Sequence, residues 1–335
     1  SYVLYADANR RKRHNEFRAE LAVLEGDDAV EELAKLEREA ERAGREAPDS
    51  SVTDFWSRHP MLGRIVEASP ALIVHAGSGA AELEDRYPAA KRVAVVPLGV
   101  GDPIDGTSPP ETASARRRLG LDSTTFTIGV FGIVHPAKRI EACIQALPEL
   151  VADDDDVVLL VVGRVLDPEY ERALHELART LGVDHWLRFT GPVAFDTFQA
   201  YQVATDVVVN LRSPMVKQWS GTLVRGLAAG KPVVMSDVPY WQSLPADVCL
   251  RVTTGDGEVP ELVAVLRSLR ADTESRGRLS ARARSYFEEN GTVARMAAGY
   301  LDVIEEVVGA PIVRECPGRV ADRERWEELV GGVQP

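Results

Sequence analysis

Cysteine is scarce in this chain: Cys143, Cys249 and Cys316 are the only three in 335 residues. They stand far apart, so the pattern points to neither a disulfide framework nor a cysteine-based zinc site. Basic charge is also in deficit. A net charge of −13 and a pI near 5.1 argue against a nucleic-acid or anionic-membrane binder, because long-range repulsion opposes both. Long apolar runs are missing too: Val157 to Val162 is typical and far too short to span a bilayer. The opening "SYVLYADANRRKRH" lacks signal-peptide architecture, so the expectation is a cytoplasmic protein with reduced thiols and no transmembrane segment. Also lacking are HExxH, G-x-x-x-x-G-K-[ST] and G-x-S-x-G elements, which removes motif support for zinc peptidases, P-loop nucleotidases and common hydrolases. "GVFGIV" holds a Gly-x-x-Gly but not the G-x-G-x-x-G of nicotinamide binding.

What is present is ordinary globular composition, 45% hydrophobic and 27% charged, in a chain long enough for two domains. From Asn15 to Arg45 the apolar residues Phe17, Leu21, Leu24, Val30, Leu33 and Leu36 recur at helical spacing, with a break near Gly26. "ALIVHA" reads as a buried strand followed by a helix from about Ser78, and "RVAVVPLGV" as a second strand. "GDPIDGTSPPETAS", rich in proline and glycine, is the best linker and sets the boundary between residues 1–100 and a second domain over 101–292. Beyond it "FTIGVFGIV", "VVLLVVGRV", "LRFTGPV", "DVVVNLR" and "PVVMSD" alternate with helices at 138–150, 168–181 and 194–204 and with the short helix after Ser220. Apolar β-branched strands alternating with helices predict a parallel, doubly wound α/β sheet covered on both faces. Its loops at 132–138, 163–164, 191–193 and 212–221 then face one crevice beyond the carboxyl ends of the strands. Helices follow at 259–271, 275–290 and 293–308, and Tyr300, Leu301 and Ile304 form the apolar face of the last. "ADRERWEELV" is a further helix candidate, with Trp326 as its anchor.

In "KQWSGTLVRGLAAGKPVVMSD", Ser220, Gly221 and Thr222 stand where a helix begins and Gly230 with Pro232 ends it. Its first amides have no intrahelical partner and carry the positive end of the helix dipole, so a phosphate fits there; the plain alternative is that Ser220 only caps the helix. In "FGIVHPAKRIEA", Lys138 and Arg139 stand at a predicted helix start, where cations oppose the dipole. A pyrophosphate bridging Lys138 and the helix start at Ser220 accounts for both; the alternative is two solvated cations. His135 reads as a loop histidine rather than a catalyst.

These segments, in this order, resemble the donor-binding domain of glycosyltransferase family 4, a GT-B fold. "FWSRHPMLGRIVEASPALIVHAGSGAAEL" and "RVAVVPLGV" are similar to the end of that family's acceptor domain and its crossover. The likeness runs from about Phe55 to Val308. It implies two Rossmann-like domains facing a cleft, the first incomplete here and carrying a helix-rich insertion at 15–48, with the helices of 293–335 returning to it. It further implies retaining, metal-independent transfer of a sugar from a nucleotide-sugar donor, with no cofactor, to a saccharide, lipid or small-molecule acceptor, and leaves room for peripheral membrane contact. Lys138 matches the cation that holds the donor diphosphate, Gly221 and Thr222 the amides that cradle it, and Val193 the residue whose backbone meets the nucleobase. With Gly132, Arg139 and Ser220 they make up the implied donor site. The family's arginine after the strand glycine is Ile133 here, and its two glutamates fall at Lys217 or Gln218 and at Arg225. Gln218 would hydrogen-bond a sugar hydroxyl and acts with Lys138 as the implied catalytic pair; Arg225 would offer a cation to the ribose or pair with a neighbouring domain. A second function stays open on those departures: a non-catalytic GT-B homologue that binds a nucleotide or a partner protein.

Overall fold

The structure is a computed structural model that describes residues 13–42, 55, 58–104, 112–153, 155–213 and 219–310. The opening segment, most of the proline-rich linker, Lys217, Gln218, Cys316 and the tail helix candidate lie outside them.

Two helices, α1 (His14–Glu25) and α2 (Asp27–Arg42), form a hairpin. The chain turns between them at Gly26, whose φ of 92° suits glycine. Their facing residues Phe17, Leu21, Ala29 and Leu33 bury a small core with Phe55 and Met61. After α3 (Gly63–Ala68) come β1 (Leu72–Val74), α4 (Gly77–Arg86) and β2 (Val93–Val95). The two strands pair in parallel, Leu72 opposite Val93, as a strand–helix–strand connection requires.

The larger unit starts at α5 (Thr112–Leu119). Its strands are β3 (Phe126–Phe131), β4 (Val157–Val162), β5 (Leu187–Gly191), β6 (Val207–Asn210), β7 (Val233–Ser236) and β8 (Leu250–Val252). They form one parallel sheet in the order β5-β4-β3-β6-β7-β8, so the winding reverses between β3 and β6. The helices are α6 (Ile140–Asp153), α7 (Pro168–Thr180), α8 (Phe195–Ala204), α9 (Gly221–Ala228), α10 (Glu258–Ala271), α11 (Thr273–Asn290) and α12 (Val293–Val308). Alternate residues of the strands feed opposite cores. Val157, Leu159 and Val161 of β4 pack with Ile144, Leu147 and Leu266, while Leu160 and Val162 pack with Leu223, Leu227, Trp241 and Phe287. This is why the strands read as continuous apolar runs.

Three elements differ from the sequence reading. β8 carries Arg251 and only three residues at the sheet edge, too little pattern to be recognised. Lys138 and Arg139 do not open α6: Pro136–Lys138 is a 3₁₀ turn capped by His135, Arg139 is left-handed with φ 54°, and α6 begins at Ile140. On α12, Tyr300 and Ile304 stay 36% and 42% exposed, while Val303 is buried. The contact face is instead Met296, Gly299 and Val303, one stripe at helical spacing packed on β2 and the residue after it, Val96. A Cβ on Gly299 would lie 2.8 Å from Val96 Cγ1, so glycine permits this approach.

Candidate active site

At the reversal point, the segments after β3 and β6 and the start of α9 enclose an open cleft of about 500 Å³. Its lining includes Gly132, Ile133, His135, Lys138, Leu166, Arg212, Trp219, Ser220, Gly221, Thr222 and Arg225. Backbone packing sets the narrow end. The Gly132 N–H donates to Val162 carbonyl at 2.9 Å. A Cβ on Gly163 (φ 152°) would sit 2.1 Å from the Gly132 carbonyl oxygen, and one on Gly132 (φ 92°) would sit 2.8 Å from Lys138 Nζ and 3.2 Å from Thr222 Cγ2. Two glycines in a row of contacts therefore bring β4, β3, the lysine and α9 together.

Lys138 donates its ammonium to the Phe131 carbonyl. Burial, reinforced by the positive charge of Arg212, pulls its pKa down from 10.5 to about 7. Arg212, just past β6, is also desolvated, and its pKa falls to about 10. Its Nη1 donates to Leu211 carbonyl at 2.7 Å and its Nη2 to Ser220 Oγ at 3.5 Å. Sequence reasoning put its loop at the crevice but did not single out this cation. A signal existed, since it is the first charged residue after the strand on the far side of the switch point.

Ser220 caps α9: its Oγ accepts from Leu223 N–H at 3.3 Å and donates to Asn210 Oδ1 at 3.1 Å. Thr222 Oγ1 donates to the same oxygen at 2.9 Å. Asn210, buried at the end of β6 and also missed from sequence, thus aligns the helix start, and its Nδ2 is buried without a partner. The cap satisfies Leu223, whereas the amides of Gly221 and Thr222 come first in the helix and open onto the cleft. Capping by Ser220 thus leaves the first two amides of the helix without an intrahelical partner.

The other residues chosen from sequence divide. Arg225, one turn along α9, lines the cleft with its guanidinium 5.0 Å from the Phe195 ring centre and Nη1 buried without a hydrogen bond. Ile133 lines it as an exposed apolar residue. Val193 is half-buried against the apolar cluster that includes Phe198 and Trp219, outside the cleft lining. Arg139 points elsewhere, into ion pairs with Glu141 and Glu258 at 2.6 and 2.7 Å. Its left-handed backbone costs about 1–2 kcal/mol in a non-glycine residue. Among the described residues no cluster of three or more His, Cys, Asp or Glu is placed to hold a metal, and no helix is long and apolar enough to cross a membrane.

Cations and helix amides on a parallel sheet's switch point suit a phosphate-bearing ligand. Residues 125–272 match the family of group 1 glycosyl transferases. The fold is GT-B. Over 282 residues it is 29% identical to the D-inositol 3-phosphate glycosyltransferase of Geodermatophilus obscurus, covering 81% of this chain and 60% of the relative. Over 260 residues it is 31% identical to the enzyme of that name from Salinispora arenicola, covering 74% and 57%. The chain thus spans about three-fifths of the length of these relatives. Among solved structures it resembles Anabaena HepE in complex with UDP-glucose (TM-score 0.65, 19% identity, 76% of this chain and 68% of that one). It also resembles WaaG, a glycosyltransferase involved in lipopolysaccharide biosynthesis (TM-score 0.63, 19% identity, 81% and 72%).

Proposed function

We propose that this protein transfers a sugar from a nucleotide-diphosphate donor to an acceptor, retaining the anomeric configuration and using protein cations in place of a metal. The observation that carries the reading is the convergence of Lys138, Arg212 and the first amides of α9 on Gly132 and the cleft beside it. As the bond from sugar C1 to the phosphate oxygen breaks, negative charge collects on the leaving diphosphate. Groups already desolvated and aimed at it stabilise that charge without reorganising. Arg225, deeper along α9, offers a further cation to the nucleoside side of the donor. The solved GT-B structures bound to UDP and UDP-glucose make uridine nucleotides the first ligands to try.

The test is calorimetric titration with UDP, GDP and their sugars, followed by turnover with candidate acceptors and assignment of the product anomer by NMR. Arg212→Ala is expected to weaken diphosphate binding roughly 10- to 150-fold, the worth of about 1.5–3 kcal/mol for charge-assisted hydrogen bonds. Tight binding with no turnover against any acceptor would instead support the non-catalytic reading, which Ile133 and Arg225 in the cleft favour. Binding to none of the nucleotides would overturn the transfer reading and the nucleotide-binding form of the second.

A further inference from the structure

Arg139 is one of two non-glycine residues with positive φ among those described, and it directly follows the turn that carries Lys138. Arginine has no intrinsic liking for that conformation, in which glycine and asparagine are most at ease. Its side chain supplies the reason. Nε and Nη2 donate to Glu258 Oε2 at 2.8 and 2.7 Å, and Nη1 donates to Glu141 Oε1 at 2.6 Å. Glu141 Oε2 in turn accepts from the Tyr170 hydroxyl at 2.7 Å. Glu258, the first residue of α10, is fully buried, and its Oε1 has no hydrogen-bond partner. A buried carboxylate in this state is costly unless its cation stays in place, so the pair resists separation. Three helices, α6, α7 and α10, are thereby joined to one backbone position.

We propose that Glu258 and Glu141 are positioning residues: by clamping Arg139 in its left-handed conformation they fix the Pro136–Lys138 turn and hold the Lys138 ammonium at the Gly132 end of the cleft. The other side of the turn is tied by the Ser213 N–H donating to Ala137 carbonyl at 3.1 Å, which links it to the loop bearing Arg212. Neither glutamate acts on Lys138 directly. The groups that do are the Phe131 carbonyl from β3 and Arg212 beyond β6, with His135 on the same turn capping it through Ala137 N–H. The influence of the clamp passes through Arg139. What Lys138 then binds rests on the proposed donor site; where Lys138 is held does not.

Two readouts separate these. Competitive acetylation of the unliganded protein across about pH 5 to 10, resolved by mass spectrometry, reads the Lys138 midpoint, and calorimetry reads UDP affinity. In Glu258→Gln and Glu141→Gln the loosened turn lets Lys138 reach water, so its midpoint should rise by about one unit or more and UDP binding weaken by about tenfold. Leu269→Ala, a cavity in the far end of α10, should lower Tm and leave the midpoint alone. Glu141 is 25% exposed, so its variant carries the test even where Glu258→Gln folds poorly. A midpoint unmoved in folded Glu141→Gln overturns the clamp, whatever UDP does. A midpoint that moves in a protein whose wild type binds no nucleotide upholds the clamp and refutes the donor site.

Discussion

On the proposed donor site, Lys138 should make ligand binding sensitive to protons, with a sign and size that follow from its surroundings. In the empty cleft its pKa lies at about 7, so at pH 8 about nine-tenths of the molecules hold it neutral. A bound diphosphate places opposite charge within reach, which typically raises a lysine pKa again by one to three units. A rise of about two units corresponds to about 2.7 kcal/mol of coupling. Binding at pH 8 should therefore take up about 0.8 proton, and UDP should bind about 25-fold more weakly at pH 9 than at pH 7. The ligand's own last phosphate proton, with a pKa of about 6, is already lost in that range. The assay is calorimetry at pH 8 in two buffers of different ionisation enthalpy, whose apparent enthalpies differ by the protons transferred. Lys138→Arg, which keeps the charge but does not titrate, should bring the uptake close to zero. Proton uptake that is absent in the wild type, or unchanged in Lys138→Arg, would refute the assignment of Lys138 as a desolvated phosphate ligand.

The same lysine leaves a mark on the unliganded fold. Its folded pKa is depressed, so between about 7 and 10.5 the unfolded chain holds a proton that the folded one has released, and stability rises with pH across that window. Lys138→Met should accordingly raise Tm more at pH 7 than at pH 9.5 in thermal denaturation. The glycine contacts are tested by comparison: Gly163→Ala, whose Cβ would collide with the Gly132 carbonyl, should lose about 2–4 kcal/mol by chemical denaturation, whereas Gly182→Ala, left-handed with open space around it, should lose about 1 kcal/mol.

Much of the fold was legible because parallel strands buried on both faces leave an unmistakable trace. "VVLLVV" and "DVVVN" could hardly be anything else, and the short helix bounded by Ser220 and Gly230 carries its own stop and start signals. The failures have specific physical causes. A left-handed Arg139 breaks the rule that reserves that region for glycine, and of the two carboxylates that hold its side chain Glu141 is a near neighbour in sequence but the buried Glu258 lies 119 residues away, beyond any local signal. The α12 face was misjudged because Gly299 contributes by lacking a side chain, whereas Tyr300 and Ile304 look like a stripe in the sequence and stay exposed. Asn210 needed strand order, and the signal at Arg212 could be weighed only once β6 was known to lie beside β3.

Desolvation by itself does not mark a functional lysine, and this protein contains the comparison. Lys231 is buried as well, with a pKa lowered to about 8, yet it stands at the amino ends of the strands, just ahead of β7. There Asp206 is its foremost charged neighbour, of opposite sign and ahead of the cations Arg116 and Arg276, and Thr112 Oγ1 accepts from its Nζ at 3.3 Å. That lysine is provided for by the fold. Lys138 has a carbonyl for its proton and a second cation, Arg212, for its charged neighbour, in a cleft open to solvent. Two like charges held together in an open concavity are unfavourable until an anion enters, so their cost in the empty protein becomes affinity in the filled one. Lys138→Met should therefore abolish measurable UDP binding while Lys231→Met keeps it within about twofold, although both remove one desolvated cation. Equal losses in the two variants would mean that UDP responds to net charge or to global stability, and the convergence of cations at Gly132 would lose its meaning.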